Sequence, residues 1–160
     1  MKKFTLNLKK YVFFSACLVL LVFSGFKMAE DYTETLHAML NKYHDVQMQS
    51  KLVKRFELTV TNTGFCRYRK IYTNGKNEYF AFNLSRFKSM DYYGTTEKGE
   101  LYLRTKNDDV IVQTRNDRKG EVDSTSTYMV IPLKNISVEE LNLLAENFKQ
   151  ANVAILASVK

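Results

Sequence analysis

Residues 55 to 84 constrain the fold more than any other stretch, because their apolar period is two and turn residues interrupt it twice. Phe56, Leu58 and Val60 alternate with Glu57, Thr59 and Thr61, the pattern of a strand with one buried face. Asn62-Thr63-Gly64 turns the chain, and Phe65 to Tyr72 (FCRYRKIY) forms a second strand. Asn74-Gly75 follows, the strongest hairpin signal present, since both residues accept the positive φ of a type I′ turn. Glu78 to Leu84 (EYFAFNL) is the returning strand, with Phe80, Phe82 and Leu84 on one face. Two successive hairpins make antiparallel pairing the expectation.

The same grammar continues downstream. Ser85 to Ser89 is ambiguous, Met90 to Thr95 reads as a short fourth strand, and Glu97-Lys98-Gly99 turns into a fifth, Glu100 to Thr105. Asn107-Asp108 precedes a sixth, Val110 to Thr114; Arg115 to Ser126 reads as a charged loop; Thr127 to Leu133 is the seventh, with Pro132 near its end, where a missing backbone donor matters least. Ser137 and Glu140 form a capping box that opens a C-terminal helix, whose apolar face is Val138, Leu141, Leu144, Ala145 and Phe148. Ahead of the strands, residues 28 to about 53 read as a helix: Tyr32, Leu36, Met39, Tyr43 and Val46 make one stripe, and no Gly or Pro occurs from Met28 to Thr63.

The expected fold is therefore α+β and mainly antiparallel β: a meander sheet or partly closed barrel of about seven strands, an amphipathic helix before it and a capping helix after it. Seven strands closed by a C-terminal helix resemble the pleckstrin-homology superfold in element order, with no shared motif. That architecture hosts many functions.

Ahead of the first helix stands an uncharged apolar run, Tyr11 to Phe26 (YVFFSACLVLLVFSGF). At 16 residues it lies between a secretory h-region of about 7–15 and a spanning helix of about 17–25. Lys2, Lys3, Lys9 and Lys10 precede it, and Glu30, Asp31 and Glu34 follow soon after Lys27. The positive-inside rule then leaves the N-terminus in the cytoplasm and the bulk outside, cut or uncut. Flanks and length favour cleavage over retention. Cys17 lies mid-run, not at its end as a lipoprotein signal requires. The expected organisation is a signal peptide or signal anchor over 1–26, a stalk or docking helix over 27–54, and one β-rich domain over 55–160.

Charge and cysteine content restrict the function. The formal net charge is +7, but the four lysines before the run belong to the export segment; without it 20 basic residues face 17 acidic ones, or +3. Such a chain has little electrostatic reason to bind nucleic acid. Cys66 is the one cysteine after the run, so no internal disulfide is expected and stability rests on packing of the abundant Tyr and Phe.

Catalytic and metal signatures are not found. His37 and His44 stand seven apart on the expected helix, two turns and roughly 10 Å along its axis, too far for one ion; both are expected half-exposed on its surface. Asn116, Asp117, Glu121 and Asp123 around Gly120 lack the spacing of a calcium loop, and Arg115, Arg118 and Lys119 would repel a cation. Cys66 has no neighbouring base in sequence, and no hydrolase signature or glycine-rich phosphate loop occurs. Asn83-Leu84-Ser85 and Asn135-Ile136-Ser137 fit the N-glycosylation pattern. No cofactor is expected.

The best binding candidate is a basic-aromatic ladder on the first hairpin: Arg67, Tyr68, Arg69, Lys70 and Tyr72, continued by Lys76. It suits an acidic head group, a glycan or an acidic partner. The expected function is a non-catalytic binding or assembly module of the cell envelope, exported or membrane-anchored. Its partner would be a protein or other envelope component, and the membrane itself if the N-terminal segment is retained. Carriage of a lipid or other apolar ligand in a β-cup is the alternative; an enzyme using Cys66 or a histidine is a third.

Overall fold

The computed structural model describes residues 10–15, 31–47 and 52–158. Residues 31–43 form a helix, α1. Eight strands follow: β1 Val53–Val60, β2 Phe65–Tyr72, β3 Asn77–Asn83, β4 Phe87–Gly94, β5 Lys98–Thr105, β6 Val110–Arg115, β7 Asp123–Ser126 and β8 Tyr128–Lys134. A short 3-10 turn, Leu84–Arg86, joins β3 to β4, and helix α2, Val138–Ser158, closes the chain. The α+β, mainly antiparallel class is as expected. One strand more than expected is present, because β7 forms at the end of the charged loop by pairing Asp123–Ser126 with β6.

The strands make neither one meander nor a closed barrel. They form two open antiparallel sheets, β1-β2-β3-β6-β7 and β4-β5-β8. The chain crosses between them three times: after β3, after β5 and after β7. Alternation assigns a residue to a face but does not name the neighbouring strand. The choice follows from packing. Val110 and Val112 of β6 continue the inward row of Phe80 and Phe82, while Met129, Ile131 and Leu133 of β8 lie beside Leu101 and Leu103 of β5.

Both hairpins of the first three strands use a type I turn closed by a glycine, not the two-residue type I′ turn expected at Asn74-Gly75. Gly64 N–H donates to Thr61 O (2.8 Å) and Gly75 N–H to Tyr72 O (3.1 Å). The glycines have φ of 82° and 88°. Asn74 keeps a negative φ and instead accepts from Lys76 N–H (3.0 Å).

One core joins both sheets and both helices. Its fully buried members include Leu36 and Leu40 of α1, Tyr68 of β2, Phe82 of β3, Leu101 and Leu103 of β5, Ile131 of β8 and Phe148 of α2. Phe148 stacks on Phe87 with centroids 5.1 Å apart. Residues 31–43 are thus a packing element that shares the core of the β-rich part.

The first helix ends at Tyr43, not near Val53. His44 bridges to Leu133, and Asp45 N–H donates to Pro132 O (2.9 Å), so the chain here becomes an extra partner for β8. Val46, expected on the apolar stripe, is exposed. Higher up, α1 covers the free edge of β1: Asn41 Nδ2 donates to Leu58 O (3.1 Å) and His37 Nδ1 accepts from Val60 N–H (3.3 Å). An edge that would otherwise invite another strand is thereby satisfied. Among the described residues no helix is long and apolar enough to cross a membrane. Residues 10–15 are helical and exposed; the rest of the run Tyr11–Phe26 lies outside the described residues, as does the stretch 27–30.

The capping box forms as expected: Ser137 N–H donates to Glu140 Oε2 (3.1 Å) and Glu140 N–H to Ser137 Oγ (3.2 Å). Glu140 also accepts from the Tyr43 hydroxyl and from Lys42 Nζ (3.3 Å), tying α2 to α1. Removing the cap with Ser137→Ala is expected to cost about 1 kcal/mol. Glu140→Ala is expected to lower the urea midpoint further, because it also unties α1; equal losses in the two variants would show that the α1 contact contributes nothing.

Candidate functional site

The sheet divides the expected ladder in two. Alternation along β2 sends Arg67 and Arg69 to the outer face and Tyr68 and Lys70 to the inner one. Tyr68 is fully buried, and its hydroxyl meets His44 Nε2 at 3.0 Å. Lys70 lies over the rings of Tyr68 and Phe80, where burial lowers its pKa against the pull of Glu78 and Glu100. Tyr72 donates to Glu78 Oε2 (2.7 Å), and burial, helped by that bond, pushes its pKa up to about 12. Lys76 is held between Asp117 (2.9 Å) and Glu78 (3.1 Å), which raise its pKa. Four of the six expected ligand-binding residues are therefore engaged inside the protein.

Arg67 and Arg69 instead open onto a groove of about 650 Å³ on the outer face of the five-stranded sheet. Four of its five strands contribute through register. Glu57, Arg69, Tyr79 and Gln113 lie in one cross-strand row over β1, β2, β3 and β6; Asn77 and Arg115 pair in the next. Thr59 and Asn116 complete the wall. Three guanidiniums thus face a single carboxylate among the lining residues.

The three arginines are not equivalent. Arg115 bonds Asp123 (2.9 Å) and lies 3.6 Å from Glu121. Arg69 reaches Glu57 at 3.5 Å and donates to Asn77 Oδ1 at 3.1 Å. Arg67 faces no carboxylate among the described residues and lies 5.3 Å from the Phe65 ring. A guanidinium fork held by an ordered strand and lacking an internal anion is well placed for an external carboxylate, sulfate or phosphate.

Sequence reasoning misses Tyr79, Gln113 and Arg115. Tyr79 is within its reach, since it has the opposite parity to Phe80 and Phe82. Arg115 is not, because β6 joins β3 only after the chain has passed through β4 and β5 of the other sheet. In the loop before β7 and at the start of that strand, each acid has a basic partner: Asp117 with Lys76, and Glu121 and Asp123 with Arg115. A backbone N–H from Lys119, with Lys76, holds the Asp117 carboxyl below the usual range. No group of three metal-ligating side chains occurs among the described residues.

The reactive groups lie elsewhere. Cys66 is fully buried, and burial alone pushes its thiol up to about 12. His44 is not on the helix surface as expected but in the core, 8% exposed, with Phe56 and Tyr68 edge-on to its ring. On the outer face of the other sheet, Tyr93, Tyr102 and Tyr128 cluster near Arg104, but the charges there close on themselves: Arg104 on Asp91, and the Tyr102 hydroxyl on Glu100. No family model matches the chain, and neither the curated proteins nor the solved structures searched contain a match.

Proposed function

We propose that this chain is a non-catalytic binding or assembly module of the cell envelope, exported or membrane-anchored, with the outer face of the five-stranded sheet as its binding surface. The observation that carries the reading is the groove in which Arg67, beside Arg69 and Arg115, offers a guanidinium with no carboxylate partner among the described residues. The lysine-flanked apolar run supports the address. The buried thiol of Cys66, pushed up to about 12, and the buried imidazole of His44 support the absence of catalysis, since both lack the access that nucleophilic or acid–base chemistry requires. The inter-sheet space is filled by side chains such as Tyr68, Phe82 and Phe148, which favours surface binding over carriage of an apolar ligand.

The test is capture from native envelopes with the full chain and with the Arg67→Gln/Arg69→Gln variant. A specific component recovered by the first and lost by the second is expected. Recovery of the chain alone by the unaltered protein would overturn the proposal.

A further inference from the structure

The groove also indicates the chemical class of its ligand, given that it is the binding surface. We infer that it recognises an acidic saccharide, a sugar bearing a carboxylate or sulfate. Arg67, with Arg69 beside it, supplies the anion contact. Tyr79 lies in the centre of the lining, on β3 between the arginine rows of β2 and β6. Its hydroxyl has no partner among the described residues. A flat aromatic surface with a polar tip is suited to the apolar face and hydroxyls of a pyranose ring. Two amides supply the remaining chemistry. The Asn116 side chain has no internal hydrogen bond among the described residues, and Gln113 spends one N–H on Asp123 (2.8 Å) and keeps its carbonyl oxygen. An amide donates and accepts from one group, as hydroxyl-rich ligands require.

The other classes of anion fit less well. A peptide gains most of its affinity on a sheet by adding a strand. The groove, however, lies over β2 and β3, which are paired on both sides. A single-stranded nucleic acid needs successive rings on which bases stack and a strongly positive track. Here one ring lies among the lining residues, and three cations face one anion. The groove volume of about 650 Å³ falls within the range of small-ligand sites.

The experiment is binding of the full chain, in mild detergent, to an array of uronate- and sulfate-bearing oligosaccharides beside their neutral parents, with an oligothymidylate and an oligoglutamate as competing anions. Selective binding of acidic over neutral sugars is expected. Arg67→Gln should weaken it about tenfold or more, the scale of a lost charged hydrogen bond, and Tyr79→Leu about two- to tenfold, the scale of a lost neutral one. Arg104→Gln, on the other sheet, should not weaken it. Equal retention of the thymidylate or glutamate oligomer, or insensitivity to Tyr79→Leu in a variant of unchanged melting temperature, would overturn the saccharide assignment. So would binding of no sugar. If capture from envelopes still depended on Arg67 and Arg69, the binding module would stand and only its ligand class would fall.

Discussion

Gly64→Ala should destabilise the protein far more than Gly75→Ala, although the two glycines close hairpins of the same design. Both have positive φ, 82° and 88°, so alanine at either carries the left-handed penalty of about 1–2 kcal/mol. Their surroundings differ. At Gly75 an added β-carbon meets open space, whereas at Gly64 it lands inside the Ile155 side chain of α2. Ile155 is 5% exposed and β-branched on a helix, so it has few rotamers into which to retreat. Overpacking of this kind adds about 1–3 kcal/mol, for a total of about 2–5 at Gly64. Urea denaturation checks this. Ile155→Val removes the clashing methyl, so the cost of Gly64→Ala should shrink in that background. Equal costs at the two glycines, or no rescue by Ile155→Val, would show that α2 does not press on the first hairpin.

Mild acid should weaken the fold through His44. Burial lowers its pKa from the ordinary 6.5, Asp45 opposes the shift, and Lys134 of β8 and Lys70 of β2 add to it. Tyr68, whose hydroxyl it meets, and Phe56 also lie against the ring. Because the folded pKa lies below the unfolded one, the unfolded chain takes up a proton that the native state refuses. Stability is then flat above about pH 6.5, falls as the pH drops from there toward the folded value, and levels off below it. The carboxyls held low in the fold, at Asp117, Asp123, Glu139 and Glu140, lose their contribution only nearer pH 4. The interval between pH 7 and 5 therefore lies above these carboxyls, and comparison with a His44 variant isolates that residue. Melting temperature is expected to fall across it in the unaltered chain and to fall less in His44→Gln, whose amide can still meet Tyr68. Parallel curves would mean that His44 is reached by solvent and protonated without cost.

Local features of the chain are legible in its residue order alone. The Ser137–Glu140 box, the turns at Gly64 and Gly75, the strands Phe65–Tyr72 and Val110–Thr114 and the central buried residues of the helices, Leu36 in α1 and Leu144 and Phe148 in α2, follow from contacts within a few residues, whereas Val46 and Val138, expected on the same faces, are exposed. Arg67 and Arg69 are legible as candidates for the same reason: they alternate with residues that must face inward. Composition alone groups Tyr68, Lys70, Tyr72 and Lys76 with them. Parity along β2 puts Tyr68 and Lys70 on the other side of the sheet.

Three decisions belong to the tertiary structure. His44 and Asp45 leave the helical pattern because pairing with β8 satisfies their backbone and buries the imidazole. The strand after β5 returns to β3, which brings Arg115 to the groove and gives β7 an edge on which to form. Paired acids then occupy Arg115 and Lys76 and leave Arg67 without one among the described residues. Period, turn chemistry and capping depend on backbone sterics and neighbours a few bonds away, so the linear order of residues carries them. Strand partners, helix ends and the ion pairing of the groove arginines depend on which apolar rows fill one shared core, and no single segment contains that information.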